Sequence, residues 1–171
     1  MDLKSYIRDV PDFPRPGVLF RDITPLLQKP EAYQGVVNAL AEEHRIANLD
    51  VIIGVESRGF VFAAPMAYKL GLPFVPIRKP GKLPAAHMSV EYTLEYGDSQ
   101  LDIHQDAIRP GEKALIVDDL LATGGTALAA AKLVELLGGT VHGFAFLVEL
   151  TELGGRARLK GYRISSLIQY P

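Results

Sequence analysis

The feature that most constrains the fold is a set of short apolar runs that alternate with segments of helical periodicity. Residues 50–55 form a run rich in β-branched side chains, which is typical of a strand buried on both faces of a parallel sheet. Similar runs occupy 73–77, 114–117 and 141–148. Apolar residues at helical spacing fill 31–46, 59–70 and 126–137. This alternation predicts an α/β fold, with a mostly parallel, twisted sheet flanked by helices on both faces.

Length and composition predict one domain over residues 1–171. The chain is 48% hydrophobic and 22% charged, and it contains no repeat or linker-like tract. A net charge of −2 provides no general positive field for nucleic acid. No apolar run approaches the roughly 20 residues that span a bilayer, and the N-terminus lacks a signal-peptide pattern. The chain contains no cysteine, which agrees with a reducing compartment, so we expect a cytoplasmic protein. The charge and the lack of a long apolar run lead us to expect that it binds neither nucleic acid nor membrane.

Two segments lie outside the α/β pattern. Residues 1–30 begin with a short polar helix and become rich in proline over 11–17, which predicts a rigid, extended arm. In residues 80–108, apolar and polar side chains alternate on either side of Gly97-Asp98, which predicts a β-hairpin with its turn at those two residues. An excursion of this length from an α/β core is a candidate flexible lid, and a surface hairpin without a catalytic role is the alternative.

The segment with the clearest chemistry runs from 115 to 127, where a buried strand is followed by Asp118, Asp119 and a small-residue loop that opens a helix. Ligands of open α/β sheets bind at the carboxyl ends of strands, so both acids are expected to face a ligand. In the loop, Gly124 and Gly125 let backbone N–H groups approach closely, and the helix adds its positive N-terminus. We therefore predict a cradle for one phosphate group.

Other nucleotide-binding loops do not match this segment. A Walker-type loop requires a Gly-Lys-Ser/Thr ending, but no lysine occurs between Lys113 and Lys132, and the G-x-G-x-x-G fingerprint is absent. A Gly-rich turn without a ligand remains an alternative. The tandem acids argue against it, because unpaired buried carboxylates are costly.

The same segment resembles the phosphoribosyl pyrophosphate signature of the type I phosphoribosyltransferases. The resemblance implies that the 5-phosphate is held by Ala122, Thr123, Gly124, Gly125 and Thr126. It also implies that Asp118 and Asp119 bind the ribose hydroxyls, close to a Mg²⁺ ion that the substrate carries and that the protein does not ligate directly. The expected fold is that of this family, with residues 1–30 as a hood arm over the base and 80–108 as the catalytic hairpin.

Two basic segments also resemble this family. The resemblance of residues 54–60 implies that Ser57, Arg58 and Gly59 bind pyrophosphate. It favours the same role for a second cluster, Arg78, Lys79 and Lys82, either in the same subunit or in that of a dimer partner. From pattern alone, the cations of both segments could simply be solvated loop residues.

The base is indicated by residues 12–25, which resemble the arm of family members that act on adenine. The resemblance implies that Phe20 stacks on the purine, Leu19 reads its edge through backbone groups, Arg21 stands near a ring nitrogen and Leu150 closes the other face. Residues 92–97 resemble the family's mobile loop, which implies proton transfer by Glu95 and closure by Tyr96. As isolated features, Phe20 could be a core residue and Glu95 a solvated one.

These resemblances lead us to expect a homodimeric, Mg²⁺-dependent enzyme of purine salvage that makes AMP and pyrophosphate from adenine and phosphoribosyl pyrophosphate. The alternatives are transfer to another base, such as xanthine, hypoxanthine or orotate, and a regulator of transcription that only binds phosphoribosyl pyrophosphate. Four histidines lack metal-ligand spacing and are expected to be structural or surface residues: His44, His87, His104 and His142.

Overall fold

A computed structural model describes residues 2–94 and 97–171 of the chain. Within these ranges the strands are β1 (Arg8–Pro11), β2 (Leu19–Asp22), β3 (Val51–Val55), β4 (Phe74–Ile77), β5 (His87–Leu94), β6 (Gly97–His104), β7 (Lys113–Leu121), β8 (Thr140–Leu150) and β9 (Arg163–Tyr170). The helices are α1 (Thr24–Leu27), α2 (Pro30–His44), α3 (Phe60–Leu70), α4 (Gly125–Leu136) and α5 (Gly155–Arg158). Five parallel strands form the central sheet in the order β4-β3-β7-β8-β9, which confirms the predicted α/β class.

Both faces of the sheet are covered, as expected for apolar strands. Helices α2 and α3 pack on one face, where Leu40 and Phe62 share a core cluster with Ile52. Helix α4 and the β5–β6 hairpin cover the other, where Ile53 and Leu101 belong to a second cluster. Because consecutive strand residues point to opposite faces, neighbours such as Ile52 and Ile53 contribute to different cores. None of the helices in the described ranges has the length and apolar character needed to cross a membrane.

The central strands differ from the prediction in two places. Strand β7 continues past the predicted end at 117 to Leu121, because β8 still pairs with it at Leu121 after its pairing with β3 has ended at Val117. Strand β9 was not predicted, since polar residues interrupt its apolar pattern. Two of these polar residues are satisfied by tertiary contacts: Ser165 bonds with His44 and Ser166 with Glu149.

The two segments outside the α/β pattern both contain antiparallel strand pairs. The arm begins with a 3₁₀ helix at Leu3–Tyr6 and then forms a β1–β2 ribbon, so it is more regular than predicted. The hairpin is confirmed, but the predicted turn at Gly97-Asp98 is wrong. Gly97 pairs with Leu94 within the ladder, and Asp98 accepts a 3.0 Å hydrogen bond from the Thr93 hydroxyl on the opposite strand. This cross-strand bond favours the observed register.

One predicted structural residue, His44, is buried between α2 and the sheet. Its Nε2 lies 2.9 Å from the Ser165 hydroxyl, which in turn donates to the Phe144 carbonyl oxygen at 3.3 Å. Burial, with smaller contributions from the charges of His142 and Arg163, lowers the pKa of His44 from 6.5 to about 4. The folded protein therefore holds this ring neutral at pH values where the unfolded chain would protonate it.

This burial makes the stability of the protein depend on pH below neutrality. The contribution of neutral His44 is fully present above pH 6.5, and it is lost as the pH falls towards 4, by about 3 kcal/mol in total. We expect His44→Asn to show a smaller loss of unfolding free energy between pH 7 and pH 4.5 than wild type, measured by urea denaturation. His87→Asn, at an exposed histidine, is the control. Equal losses in wild type and His44→Asn would contradict this assignment.

Candidate active site

The candidate site lies where the strand order reverses. The chain places β4 on one side of β3 and later adds β7 on the other, so the carboxyl ends of β3 and β7 border a crevice. Such switch points are where open α/β sheets bind ligands. A cavity of about 630 Å³ opens there. Predicted site residues that line it are Leu19, Ser57, Arg58, Lys79, Asp118, Asp119, Ala122, Thr123, Gly124, Gly125, Thr126 and Leu150.

The predicted phosphate loop has a geometry that requires glycine. Gly124 has φ +83°, and a Cβ there would lie 2.9 Å from the carbonyl oxygen of Gly155. Helix α4 begins at Gly125, so its unpaired N–H groups and positive end face the cavity. The Thr126 hydroxyl lies 3.4 Å from the Tyr92 hydroxyl of the hairpin. The loop can therefore surround a small anion with backbone and hydroxyl donors.

The tandem acids lie within β7, in the part that extends past β3. Asp119 is 5% exposed, and its N–H donates to Oδ1 of Asp118 at 2.8 Å. Arg58 donates from Nε to Oδ2 of Asp119 at 2.5 Å and links the two sides of the crevice. Burial and the charge of Asp119 raise the pKa of Asp118 well above its ordinary value. The pair can therefore accept hydrogen bonds from hydroxyls and would favour a cation beside it.

The turn after β3 combines an exposed part with a tightly packed one. Ser57 and Arg58 are exposed at the cavity, and the Glu56–Ser57 peptide bond is cis. Gly59 is buried and does not line the cavity: a Cβ there would lie 2.6 Å from the Val55 carbonyl oxygen and 2.7 Å from that of Val117. The absence of a side chain lets α3 start against the ends of two strands.

The second basic cluster is organised by Glu56, which was not among the predicted site residues. Its Oε2 accepts hydrogen bonds from Nε of Arg78 at 2.9 Å and from the backbone N–H of Lys79 at 2.7 Å. Burial would raise the pKa of Glu56, but the bonds from Arg78 and Lys79 keep it below its ordinary value. Lys79 lines the cavity, whereas Arg78 and the exposed Lys82 do not.

The arm brings β2 to the cavity through Leu19, which is 45% exposed. Phe20 does not line the cavity: its ring packs edge-on against Phe13 at 5.1 Å, with the Arg58 guanidinium 5.5 Å from the ring centroid. Arg21 also lies outside the lining, because it stacks on Tyr170 at 3.9 Å and pairs with Asp9. These contacts hold the arm against both the β3 turn and the end of β9.

Several lining residues were not predicted as site residues. From the hairpin these are Tyr92, Leu94 and Leu101, and from elsewhere Arg15, Gly17, Val18, Leu120, Leu121, Ala127 and Leu153. All of them except Leu101 and Leu153 lie in stretches that the sequence singled out, namely 12–25, 92–97 and 115–127, although no role was predicted for them. The predicted catalytic residues of the 92–97 stretch, Glu95 and Tyr96, lie outside the described residues, and their roles remain predictions.

Comparison with known proteins gives concordant results. The family model for the phosphoribosyl transferase domain matches residues 22–167. Among curated proteins, the adenine phosphoribosyltransferase of Gloeobacter violaceus is 58% identical over 99% of this chain and 100% of its own length. A crystal structure of adenine phosphoribosyltransferase from Thermoanaerobacter pseudethanolicus superposes with a TM-score of 0.96 at 53% identity, over 99% of this chain and 98% of that one. The Saccharomyces cerevisiae enzyme, complexed with an imino-altritol bisphosphate and adenine, gives a TM-score of 0.91 at 39% identity over 96% of each chain.

Proposed function

The chain belongs to the phosphoribosyltransferase family, and from that premise we infer that it is an enzyme of purine salvage. It transfers the 5-phosphoribosyl group of phosphoribosyl pyrophosphate to adenine and produces AMP and pyrophosphate, as its relatives are named for doing. One observation carries this inference: the Ser57–Arg58 turn, the tandem acids and the phosphate loop all line one cavity. These are groups suited to a diphosphate, a polyol and a phosphate monoester, which phosphoribosyl pyrophosphate combines in one molecule.

The charges around the cavity suit the chemistry of transfer. When the bond from C1 to pyrophosphate breaks, positive charge builds on the ribose ring, as in glycoside hydrolysis. The carboxylates of Asp118 and Asp119 favour that charge and accept hydrogen bonds from the ribose hydroxyls. Arg58 and Lys79 stabilise the negative charge of the departing pyrophosphate, with Ser57 as a hydrogen-bond donor. The 5-phosphate in the 122–126 loop fixes the sugar while its C1 reacts.

Mg²⁺ is the metal ion that we propose for this reaction. Two adjacent carboxylates supply the hard oxygen ligands or outer-sphere acceptors that suit this ion, and Asp118 and Asp119 would be the protein groups beside it. The raised pKa of Asp118 supports this placement, since a nearby cation would relieve the repulsion between the two acids. When bound with the substrate, the ion supplies positive charge to the pyrophosphate oxygens.

Recognition of adenine is assigned to the arm and to the end of β8. In the described chain β2 pairs with β1 alone, so alternate backbone N–H and C=O groups of β2 face away from the ribbon. Because the N–H and C=O of one residue point to the same side of a strand, Leu19 can offer adenine both a donor and an acceptor. Hypoxanthine carries a carbonyl in place of the amino group, and the mismatch costs about 1–3 kcal/mol. Leu150 lines the cavity and closes one face of the purine ring in this proposal. The roles of Phe20 on the other face and of Arg21 near a ring nitrogen rest on the family resemblance, since both residues lie outside the lining.

Residues 80–108 act in this proposal as a flexible lid on the single domain, while residues 1–30 form the hood over the base. Tyr92, Leu94 and Leu101 already line the cavity, which supports this role for the hairpin. Closure excludes water, which would otherwise hydrolyse the activated sugar. Glu95 redistributes the ring proton of adenine as the base attacks C1, and Tyr96 closes over the site.

We further propose that the enzyme is a homodimer that works in the cytoplasm. Tyr68 on α3 is 91% exposed, which is unusual for an aromatic side chain and supports a partner at this helix, next to the edge strand β4. Pyrophosphate contacts from Arg78 and Lys82 then come from either subunit. Light scattering should give twice the chain mass of 18.7 kDa. The compartment follows from the substrate, because a triply phosphorylated sugar does not cross membranes unaided, and cell fractionation tests it.

A substrate panel tests the proposed function. We expect the protein with Mg²⁺ and phosphoribosyl pyrophosphate to convert adenine to AMP, with little product from hypoxanthine, guanine, xanthine or orotate, as measured by chromatography of the nucleotides. Chelation of Mg²⁺ should abolish product formation. If another base is converted to its nucleotide while adenine is left unconverted, that base replaces adenine as the assigned substrate. Binding of phosphoribosyl pyrophosphate without turnover of any base would instead favour the regulator.

A further inference from the structure

The phosphate loop lacks a positively charged side chain of its own. No lysine or arginine occurs between Lys113 and Lys132 in the sequence. Within the loop, a phosphate dianion would meet only backbone N–H groups, the hydroxyls of Thr123 and Thr126 and the positive end of α4. The cations Arg58 and Lys79 belong to segments that follow β3 and β4 and are assigned to pyrophosphate. A further cation close to the loop would complement the second negative charge.

Arg158, at the end of α5, is placed to supply that charge. Its Nη1 atom would lie 3.0 Å from a Cβ built on Gly125, the first residue of α4. It also borders a second cavity of about 480 Å³, which is lined by Thr123 of the loop and Leu94 of the hairpin. Among the residues that the structure describes, the Arg158 side chain has no hydrogen-bond or ion-pair partner. Its guanidinium is thus available to an anion beside the loop.

The segment that carries Arg158 is fixed to the loop by close packing. A Cβ on Gly155 would lie 2.5 Å from the Ala122 carbonyl oxygen and 2.7 Å from Cδ1 of Leu121. The first residue of α5 therefore touches the backbone of the loop, and a side chain at this position would separate them. Gly154, with φ +70°, lets the chain enter α5 from a 3₁₀ turn at Thr151–Leu153.

A partly buried ion pair holds the same segment on its other side. Arg156 donates from Nε and Nη2 to the two carboxylate oxygens of Glu149, at 2.6 and 2.8 Å, and Ser166 donates to Glu149 at 2.6 Å. Burial alone would raise the pKa of Glu149, but these bonds and the charge of Arg156 keep it below its ordinary value. The bidentate geometry fixes α5 against β8 and β9. Arg156 is thus a positioning residue, whereas Arg158 in the same short helix has no such partner within residues 2–94 and 97–171.

We propose that Arg158 is a further substrate-binding residue, which contacts the 5-phosphate from the α5 side of the 122–126 loop. The proposal rests on the proposed function, because it takes the loop as the site of the 5-phosphate. Guanidinium groups match phosphate oxygens with two parallel donors, which gives Arg158 a role in orientation as well as in affinity. Its contribution applies to ligands that carry the 5-phosphate and not to pyrophosphate.

The test compares two ligands in three variants. AMP carries the 5-phosphate, whereas inorganic pyrophosphate does not, and both are titrated by calorimetry. We expect Arg158→Gln to weaken AMP binding about tenfold or more, with pyrophosphate affinity unchanged within about twofold. Arg158→Lys should recover part of the loss, since it restores the charge without the planar donor pair. Lys160→Gln, at an exposed cation two residues away, is the matched control and should bind both ligands as wild type does.

The outcomes separate this proposal from the proposed function. If Arg158→Gln binds AMP as tightly as Lys160→Gln does, or loses affinity equally for AMP and pyrophosphate, Arg158 has no specific role at the 5-phosphate. Failure of the wild-type protein to make AMP in the substrate panel would overturn the proposed activity instead. In that case a selective loss of AMP binding in Arg158→Gln would still establish the phosphate contact.

Discussion

Replacing both Asp118 and Asp119 with asparagine is expected to lower kcat/KM for phosphoribosyl pyrophosphate about a thousandfold. The two residues line the cavity, and the proposed function places them at the reacting end of the sugar, where their charge is needed when positive charge develops. Asparagine retains the shape and one acceptor oxygen but removes both negative charges. Steady-state kinetics with varied phosphoribosyl pyrophosphate measures the effect, and kcat should fall more than KM rises, because the charge matters most in the transition state.

The single variant Asp118→Asn separates chemistry from folding. The raised pKa of Asp118 means that the fold disfavours its charged form, through burial and through repulsion by Asp119. Near neutral pH the neutral amide removes that cost, so we expect a melting temperature equal to or above that of wild type together with a large loss of activity.

Asp106→Asn is the control for both variants, since Asp106 is an exposed turn residue outside the cavity lining. Wild-type activity in the double asparagine variant would remove the acids from the mechanism. A melting temperature that falls in Asp118→Asn would show that the carboxylate supports the fold instead.

Replacing Glu95 with glutamine or alanine is expected to lower kcat about a hundredfold or more, with the dissociation constant for adenine changed less than about twofold. General acid–base groups contribute in the transition state, so their loss appears in kcat and spares ground-state binding. The assignment follows the family resemblance of residues 92–97. It is supported by Tyr92 and Leu94, which shortly precede Glu95 in the sequence, lie in β5 and line the cavity.

Glu91→Gln is the matched control, because Glu91 lies four residues before Glu95 in the sequence and is exposed and outside the lining. In addition to the fall in kcat, the pH profile of kcat should lose the limb that reports ionisation of Glu95. Unchanged turnover in Glu95→Ala would exclude the residue from proton transfer. An equal loss of turnover and adenine affinity would assign it to binding.

The sequence was most informative about the buried parallel strands and the helices between them. Their apolar patterns are dictated locally, and α3 ends at Gly71 in the left-handed conformation that glycine favours. Strand β9 lacked such a pattern because Ser165 and Ser166 find their partners, His44 and Glu149, far away in the chain. The end of β7 was misplaced for a related reason. Its last residues are strand because β8 pairs with them, which no local pattern encodes.

The part of the candidate site whose residues are close together in the sequence was predictable. Asp118, Asp119 and the glycine loop occur together in the sequence, and the structure places them together in the cavity. Arg158 and Leu153 gave no such signal, because their proximity depends on how Gly155 packs against the loop. The role of Glu56 in holding Arg78 and Lys79 was also not predicted. Its hydrogen bonds to Arg78 and Lys79 form only when β3 and β4 lie side by side.

The ion pair between Arg58 and Asp119 couples the two ends of the cavity. An anion that attracts the Arg58 guanidinium weakens its ion pair with Asp119, so the negative charge of Asp119 is less well neutralised. The affinity of that carboxylate for a cation then increases. We therefore expect anion and cation to bind with positive cooperativity, each raising the affinity for the other by the same factor through thermodynamic reciprocity. A diphosphate that arrives together with its metal ion is thereby favoured over either partner alone.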